Sequence, residues 1–284
     1  MPSLDRYLVE GVTLLADTSV RGGVTFAFTE RTGGVSRAPY ASLNLGSRCG
    51  DLPEAVSENR ARVLKALGAG ALAERLVMPH QVHGDKVVVV ADSEGEGLLA
   101  ARSAAEAGCD AIVCTAPGVP VMLCFADCVP VVVCAPGGFA VAHSGWRGTM
   151  EHIAAKATCA LMEATGAAPR ELAAYVGPHI GAADYEVSAE LLAKFVDEFG
   201  PCVVAGENRL DLATAVLCAL AEAGLDADQV AVCQDSTASN TDRFFSYRAE
   251  HGSCGRHAAV AWMSADGTCA LVGADHAPSL EGRK

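Results

Sequence analysis

Basic charge is scarce in this chain: Lys and Arg number 21 against 34 Asp and Glu among 284 residues, a net charge of −13 at pH 7. An acidic body repels phosphate backbones and anionic lipid surfaces, which argues against a nucleic-acid or membrane-surface binder. A small anionic substrate is still compatible with a local basic pocket. Long hydrophobic runs are also missing. The most apolar segment, Val119 to Ala142, is broken by Asp127, Pro120, Pro130, Pro136 and paired glycines, whereas a membrane span needs about 20 uninterrupted apolar residues. The N-terminal residues Met1 to Arg6 carry an early acidic residue and no apolar stretch behind them, unlike a secretory signal. No linker, repeat or low-complexity block divides the sequence, so the expectation is one domain over residues 1–276 with a flexible polar tail over 277–284.

The familiar motifs are absent too. There is no G-x-x-x-x-G-K-[ST] phosphate loop, no G-x-G-x-x-G after a strand, and no G-x-S-x-G elbow. H-E-x-x-H and the P-C-x-x-C of nucleobase deaminases are missing as well.

Apolar residues and cysteine are what the chain has in quantity. The AVILMFWYC set makes up 51 %, enough for a sizeable core and against wholesale disorder. Of the 12 cysteines, Cys114, Cys124, Cys134 and Cys218 lie inside apolar runs, where a thiol behaves as a small buried hydrophobe. Reduced thiols and a cytoplasmic location are the expectation.

Short β-branched runs bounded by Gly or Pro predict strands at Val24–Thr29, Lys86–Ala91, Ala111–Thr115, Val121–Ala126, Val129–Cys134, Phe139–His143, Ala173–Val176, Val230–Gln234 and His257–Met263. Helical patterns run from Pro53 to Leu67, Thr149 to Thr165 (Thr149 as N-cap, Gly166 past the end), Ser188 to Phe199 and Leu210 to Ala223. Asp92 to Gly108 reads as a loop with a helical turn, and Arg31 to Arg48 as a polar loop. The fold class is α/β (α+β): mixed β-sheets sandwiched with helices.

Metal-type side chains stand at strand ends in His80-Gln81-Val82-His83-Gly84, Ala126-Asp127-Cys128-Val129-Pro130 and His143-Ser144-Gly145-Trp146-Arg147-Gly148. One Cys and two His make a borderline-soft site suited to zinc, with a fourth position open. Taken singly, a Cys beside apolar strands is more often structural, and a strand-end His more often hydrogen-bonded. Spacing alone leaves both readings standing. Arg31-Thr32-Gly33-Gly34-Val35-Ser36 joins a glycine turn to a cation, Ser42-Leu43-Asn44-Leu45 adds short polar groups, and Asp242 to Arg248 concentrates two arginines with aromatic faces. Taken singly, each is more often a turn, a cap or a half-buried surface segment than a functional site.

Together and in this order these blocks resemble one family, that of the multicopper polyphenol oxidase (laccase) domain, now associated with purine nucleoside phosphorylase and adenosine deaminase activities. The resemblance also takes in Tyr40-Ala41 before Ser42, Asn59-Arg60, Gly177-Pro178, Tyr185-Glu186-Val187, Phe245-Ser246-Tyr247-Arg248 and Gly255-Arg256. It implies a fold similar to the cytotoxic-necrotizing-factor-like cysteine hydrolases, and a zinc ion held by His83, Cys128 and His143, with His80 outside the ligand set. Two departures bear on substrate preference. Ala183-Asp184 stands where the family often has cysteine, with His179 after Gly177-Pro178, and Ser236-Thr237 stands where Cys-Thr is common.

The resemblance implies phosphorolysis of adenosine, inosine, guanosine or methylthioadenosine, and deamination of adenosine. Asp127 is the candidate proton shuttle, or else a hydrogen-bond partner of a ligand His. Arg31, Arg60 and Arg248, with Ser42 and Asn44, are the candidate phosphate site, while Arg147 is read as holding the Trp146 turn. The alternatives are a cysteine-type or zinc amidohydrolase editing a cell-wall precursor, with Cys128 as nucleophile and His143 as base, a copper-dependent polyphenol oxidase, and a zinc-stabilised binding module. Blue multicopper oxidases need paired His-x-His motifs, and the chain has none. A monomer is the expected state.

Overall fold

The computed structural model describes residues 1–19 and 22–278. Strands lie at β1 (Asp5–Val9), β2 (Val12–Ala16), β3 (Val24–Thr29), β4 (Val87–Val90), β5 (Ala111–Cys114), β6 (Val121–Phe125), β7 (Val129–Ala135), β8 (Gly138–Ser144), β9 (Ala173–Val176), β10 (Val204–Gly206), β11 (Arg209–Leu210), β12 (Val230–Val232) and β13 (His257–Met263). Helices are α1 (Pro53–Ala66), α2 (Gly95–Glu106), α3 (Trp146–Met150), α4 (Ile153–Thr165), α5 (Ala189–Phe199) and α6 (Leu212–Glu222).

Two sheets face each other. The first, ordered β1-β2-β3-β13-β6, is antiparallel throughout; the second, β12-β9-β7-β8-β5-β4, is antiparallel at its centre and parallel at both edges. Phe26, Phe28, Leu123 and Phe125 of the first sheet pack on Ile112, Val132, Val141 and Tyr175 of the second, forming the layer between them. Helices α4, α5 and α6 cover the outer face of the second sheet, and α1 with Leu43 and Leu45 covers the first. The mixed, helix-sandwiched architecture expected from the sequence is what the chain adopts. Central strands buried on both faces read as continuous apolar runs rather than alternating ones. Among the described residues no helix is long and apolar enough to cross a membrane.

Some elements differ from expectation. Strands β1 and β2 precede those anticipated, joined at Glu10 (φ 51°) and Gly11 (φ 80°), the two left-handed residues that a tight hairpin needs. Asp92–Gly108 holds a full helix, α2, rather than a loop with one turn. The helix expected over Thr149–Thr165 is two helices, interrupted at His152, whose φ is 55°. Thr149 is no N-cap: it is buried in α3, and its hydroxyl donates to the Gly145 carbonyl at 2.9 Å. In the tail, the Ala277 N–H donates to Arg6 O and Arg6 reaches Pro278 O, so these two residues dock on β1. Residues 279–284, the rest of the expected flexible tail, lie outside the described residues.

Candidate active site

The three metal-type residues converge from three segments. In β8, Ala140 and Ala142 face the helices while Phe139 and Val141 face the opposite sheet. The two-residue period therefore turns His143 toward the layer between the sheets, where its ring lies 5.4 Å from that of Phe125. Cys128 sits where the chain leaves β6 in one sheet and enters β7 in the other, after Asp127 takes a left-handed conformation (φ 86°). His83 stands in the loop before β4, also left-handed (φ 60°). Gln81 docks that loop on β6, its amide exchanging hydrogen bonds with Cys124 N and O at 2.9 and 2.8 Å. The result is a set of three ligand atoms, one each from His83, Cys128 and His143, all within 4.8 Å of one another.

Asp110 completes the cluster and was not singled out from the sequence. Fully buried just before β5, it accepts from or shares a proton with His143 Nδ1 at 2.8 Å, and accepts the backbone N–H groups of Val82, His83 and Gly84 at 3.1, 3.0 and 2.8 Å. Burial works against its charge, but these donors outweigh it and hold the carboxyl below its ordinary range. Burial likewise opposes a thiolate at Cys128, yet His143 and His83 bring it down to about 6. His143 is disfavoured as a cation by burial and raised by Cys128 and Asp110 to about 9. A low thiol beside two imidazoles in such a small volume is a donor set suited to a borderline-soft divalent ion.

His83, Cys128 and His143 line a cavity of about 630 Å³. Four arginines line it, Arg48, Arg60, Arg248 and Arg256, together with Tyr185 and Tyr247. Asp127, the one carboxylate among its described lining residues, has a partner on each oxygen: Oδ1 accepts from the Thr237 hydroxyl and Oδ2 from the Arg248 N–H, both at 2.7 Å. Asp127 thus ties the β6–β7 crossing to the 237–248 segment, and Asp110 rather than Asp127 bonds a candidate ligand His. Backbone carbonyls hold three of the arginines. Arg60 donates to Leu45 O through Nε and Nη2 (2.9 and 2.8 Å), Arg248 to Glu186 O (3.0 Å), and Arg256 to Cys254 O and Gly255 O (2.9 and 2.8 Å). Tyr185 stays a phenol at neutral pH, pushed up to about 12 by burial and the nearby Cys128 thiolate.

Of the five residues expected at an anion, Arg60 and Arg248 line the cavity and Arg31, Ser42 and Asn44 do not. Arg31 is consumed by the fold: it donates to Ala41 O (2.9 Å) and Thr241 O (2.6 Å), pairs with Glu250 (3.1 Å) and lies 4.2 Å over the Phe245 ring. The Ser42 hydroxyl donates to Arg31 O and accepts from Gly34 N. At Gly34 a Cβ would fall 2.2 Å from Ser42 O, so the turn has no room for another residue. Buried Asn44 accepts from the N–H groups of Gly46 and Arg256 and donates to Gly46 O and Asp51. These motif residues build the wall that carries Arg60 and Arg256. Arg48 and Arg256 are cavity arginines that the sequence reading did not select as anion ligands. Arg147 stacks on Trp146 at 4.9 Å, and His80 lines the cavity outside the three-ligand cluster. The two departures from the family pattern meet: Ser236 donates to Asp184 at 2.5 Å and accepts from Gly181 N at 2.9 Å.

A model of the multi-copper polyphenol oxidoreductase laccase family matches residues 25–264. A purine nucleoside phosphorylase of Deinococcus radiodurans is 39 % identical over 242 residues, 84 % of this chain and 88 % of that protein. One of Corynebacterium glutamicum is 36 % identical over 245 residues, 83 % of this chain and 93 % of that protein. Among solved structures, YlmD from Geobacillus stearothermophilus superposes with a TM-score of 0.79 at 29 % identity, over 93 % of this chain and all of that one.

Proposed function

Since the chain belongs to the multi-copper polyphenol oxidoreductase laccase family and has relatives named purine nucleoside phosphorylases, we propose that it cleaves purine nucleosides with inorganic phosphate. The observation that carries this reading is a cavity, in a chain of net charge −13, lined both by four arginines and by the His83–Cys128–His143 cluster. The substrates are adenosine, inosine, guanosine and methylthioadenosine, and the products are the free base and the corresponding pentose 1-phosphate.

Zinc is the proposed ion; held by His83, Cys128 and His143, it supplies a localised positive charge and Lewis acidity. The chain's own residues do the rest. Arg60 and Arg248 bind the phosphate and balance the charge that shifts during reaction, and the carbonyls of Leu45 and Glu186 fix their placement. A phosphate oxygen forms the bond to C1′ as the C1′–N9 bond breaks; the electron pair leaves with the base, which takes up a proton. Tyr185 and Tyr247 offer ring faces to the purine. Asp127, acceptor to both Thr237 and Arg248, holds Arg248 in register, and its alternative role is to shuttle a proton when water replaces phosphate and adenosine is deaminated.

Incubating zinc-replete protein with adenosine, with and without phosphate, and resolving the products by chromatography tests the reading. Adenine formed only with phosphate supports phosphorolysis, and inosine formed without phosphate supports deamination. Neither product sinks the nucleoside reading for adenosine. The Cys128–His143–Asp110 alignment favours a second reading, a cysteine hydrolase with Cys128 as nucleophile; stoichiometric alkylation of Cys128 in metal-replete protein would support it.

A further inference from the structure

We infer that Asp110 is the positioning residue that assembles the metal site, holding two of the three ligands from two different segments with one carboxylate. It rests on the metal-binding part of the reading above and not on the reaction assigned to the site. The geometry is specific. Oδ1 meets His143 Nδ1 at 2.8 Å and the His83 N–H at 3.0 Å, while Oδ2 accepts the N–H groups flanking His83, those of Val82 (3.1 Å) and Gly84 (2.8 Å). The Asp110 carbonyl also accepts the backbone N–H of His143, at 2.7 Å. No other side chain bonds both histidine segments among the described residues.

Two consequences follow from donor chemistry. A carboxylate bonded to three backbone N–H groups has acceptor capacity left for Nδ1, so a proton of His143 sits on Nδ1 toward Asp110 and Nε2 is the nitrogen left to face Cys128 and to ligate an ion. His83 is exposed and left-handed, a backbone state that costs energy outside glycine. Three consecutive N–H groups, at residues 82 to 84, converging on Asp110 hold it there. Asp110 therefore fixes the ring of one ligand and the backbone of another before any ion arrives.

The test uses the full chain and zinc. In Asp110→Asn the amide nitrogen would face N–H donors, so the zinc Kd, measured by competition with a chromophoric chelator, is expected to rise about 10–100-fold, as for other carboxylates behind ligand histidines. Nitrogen NMR of histidine-labelled, zinc-loaded wild-type protein is expected to show His143 protonated at Nδ1 and metal-bound at Nε2, and the variant is expected to lose that single arrangement. A general loss of packing would lower the melting temperature without changing the tautomer. Unchanged zinc affinity in a folded variant, or a zinc-loaded wild-type His143 with Nδ1 unprotonated, overturns the assignment, and the wild-type spectrum decides if the variant does not fold. Failure of phosphorolysis would leave both readouts standing, so the two proposals fail separately.

Discussion

At the residue scale, the donor trio was legible because His83, Cys128 and His143 stand at strand ends in a recognisable order, whereas Asp110 was not. It precedes β5 as a lone acid, and only the folded chain shows the four donors around it. Gly145 is a second residue whose role needs the structure: a Cβ there would lie 3.0 Å from His83 Cδ2 and 3.1 Å from Cys128 Sγ. Gly145→Ala must push both donors aside, and a clear loss of zinc stoichiometry by atomic absorption is expected with little change in the far-ultraviolet circular dichroism. The thiol itself offers a pH readout. In the metal-free protein Cys128 is ionised above about 6; its alkylation by iodoacetamide should therefore rise through pH 6 and fall away below it. Cys114, pushed up to about 12 by burial, should stay inert over that range. A Cys128 alkylation midpoint near the ordinary thiol value would contradict the ion-pair geometry.

Among the elements, the central strands were readable because both their faces are buried, so β-branched residues run without polar interruption. Three others were obscured for separate reasons. Strand β1 is half exposed and its hairpin turns on Glu10-Gly11, a weaker signal than Asn-Gly. Glycines at 95 and 97 masked the start of α2, and nothing in His152 itself announces a left-handed break. Once placed, His152 ties three helices: its two ring nitrogens face Glu198 (2.8 Å) from α5 and Glu222 (3.0 Å) from α6. The expected helix starts at Ser188 and Leu210 are observed within two residues, and each helix has its own cap, with Asp211 accepting from Thr214 N at 2.9 Å. Asp211→Ala should cost about 1 kcal/mol in urea unfolding. Asp211 does not line the cavity, so the product profile should not change.

Over the whole molecule, charge is divided between an acidic surface and a basic cavity. Such a field attracts anions only at short range, and salt weakens it. The KM for phosphate should therefore rise with ionic strength more steeply than that for the nucleoside, and equal dependence would argue against arginine capture of phosphate. A second whole-molecule effect comes from His257, fully buried with neither ring nitrogen hydrogen-bonded among the described residues. Burial, opposed by the nearby Pro178 backbone and aided by Arg256 and Arg31, lowers it to about 3. The unfolded chain protonates this residue below its ordinary 6.5 while the folded chain does not, so stability declines as pH falls from 6.5 toward 3, by up to about 1.4 kcal/mol per pH unit. His257→Leu should flatten that part of the curve in pH-dependent denaturation.

The crossing at Cys128 has a mechanical corollary. One candidate ligand sits on the covalent seam between the two sheets, another ends a strand of the second sheet, and the third lies in a loop docked on the first by Gln81. An ion there is a rivet through both layers. Chelation should accelerate amide exchange in β6 and β7 together, leaving the outer hairpin of β1 and β2 at its own pace.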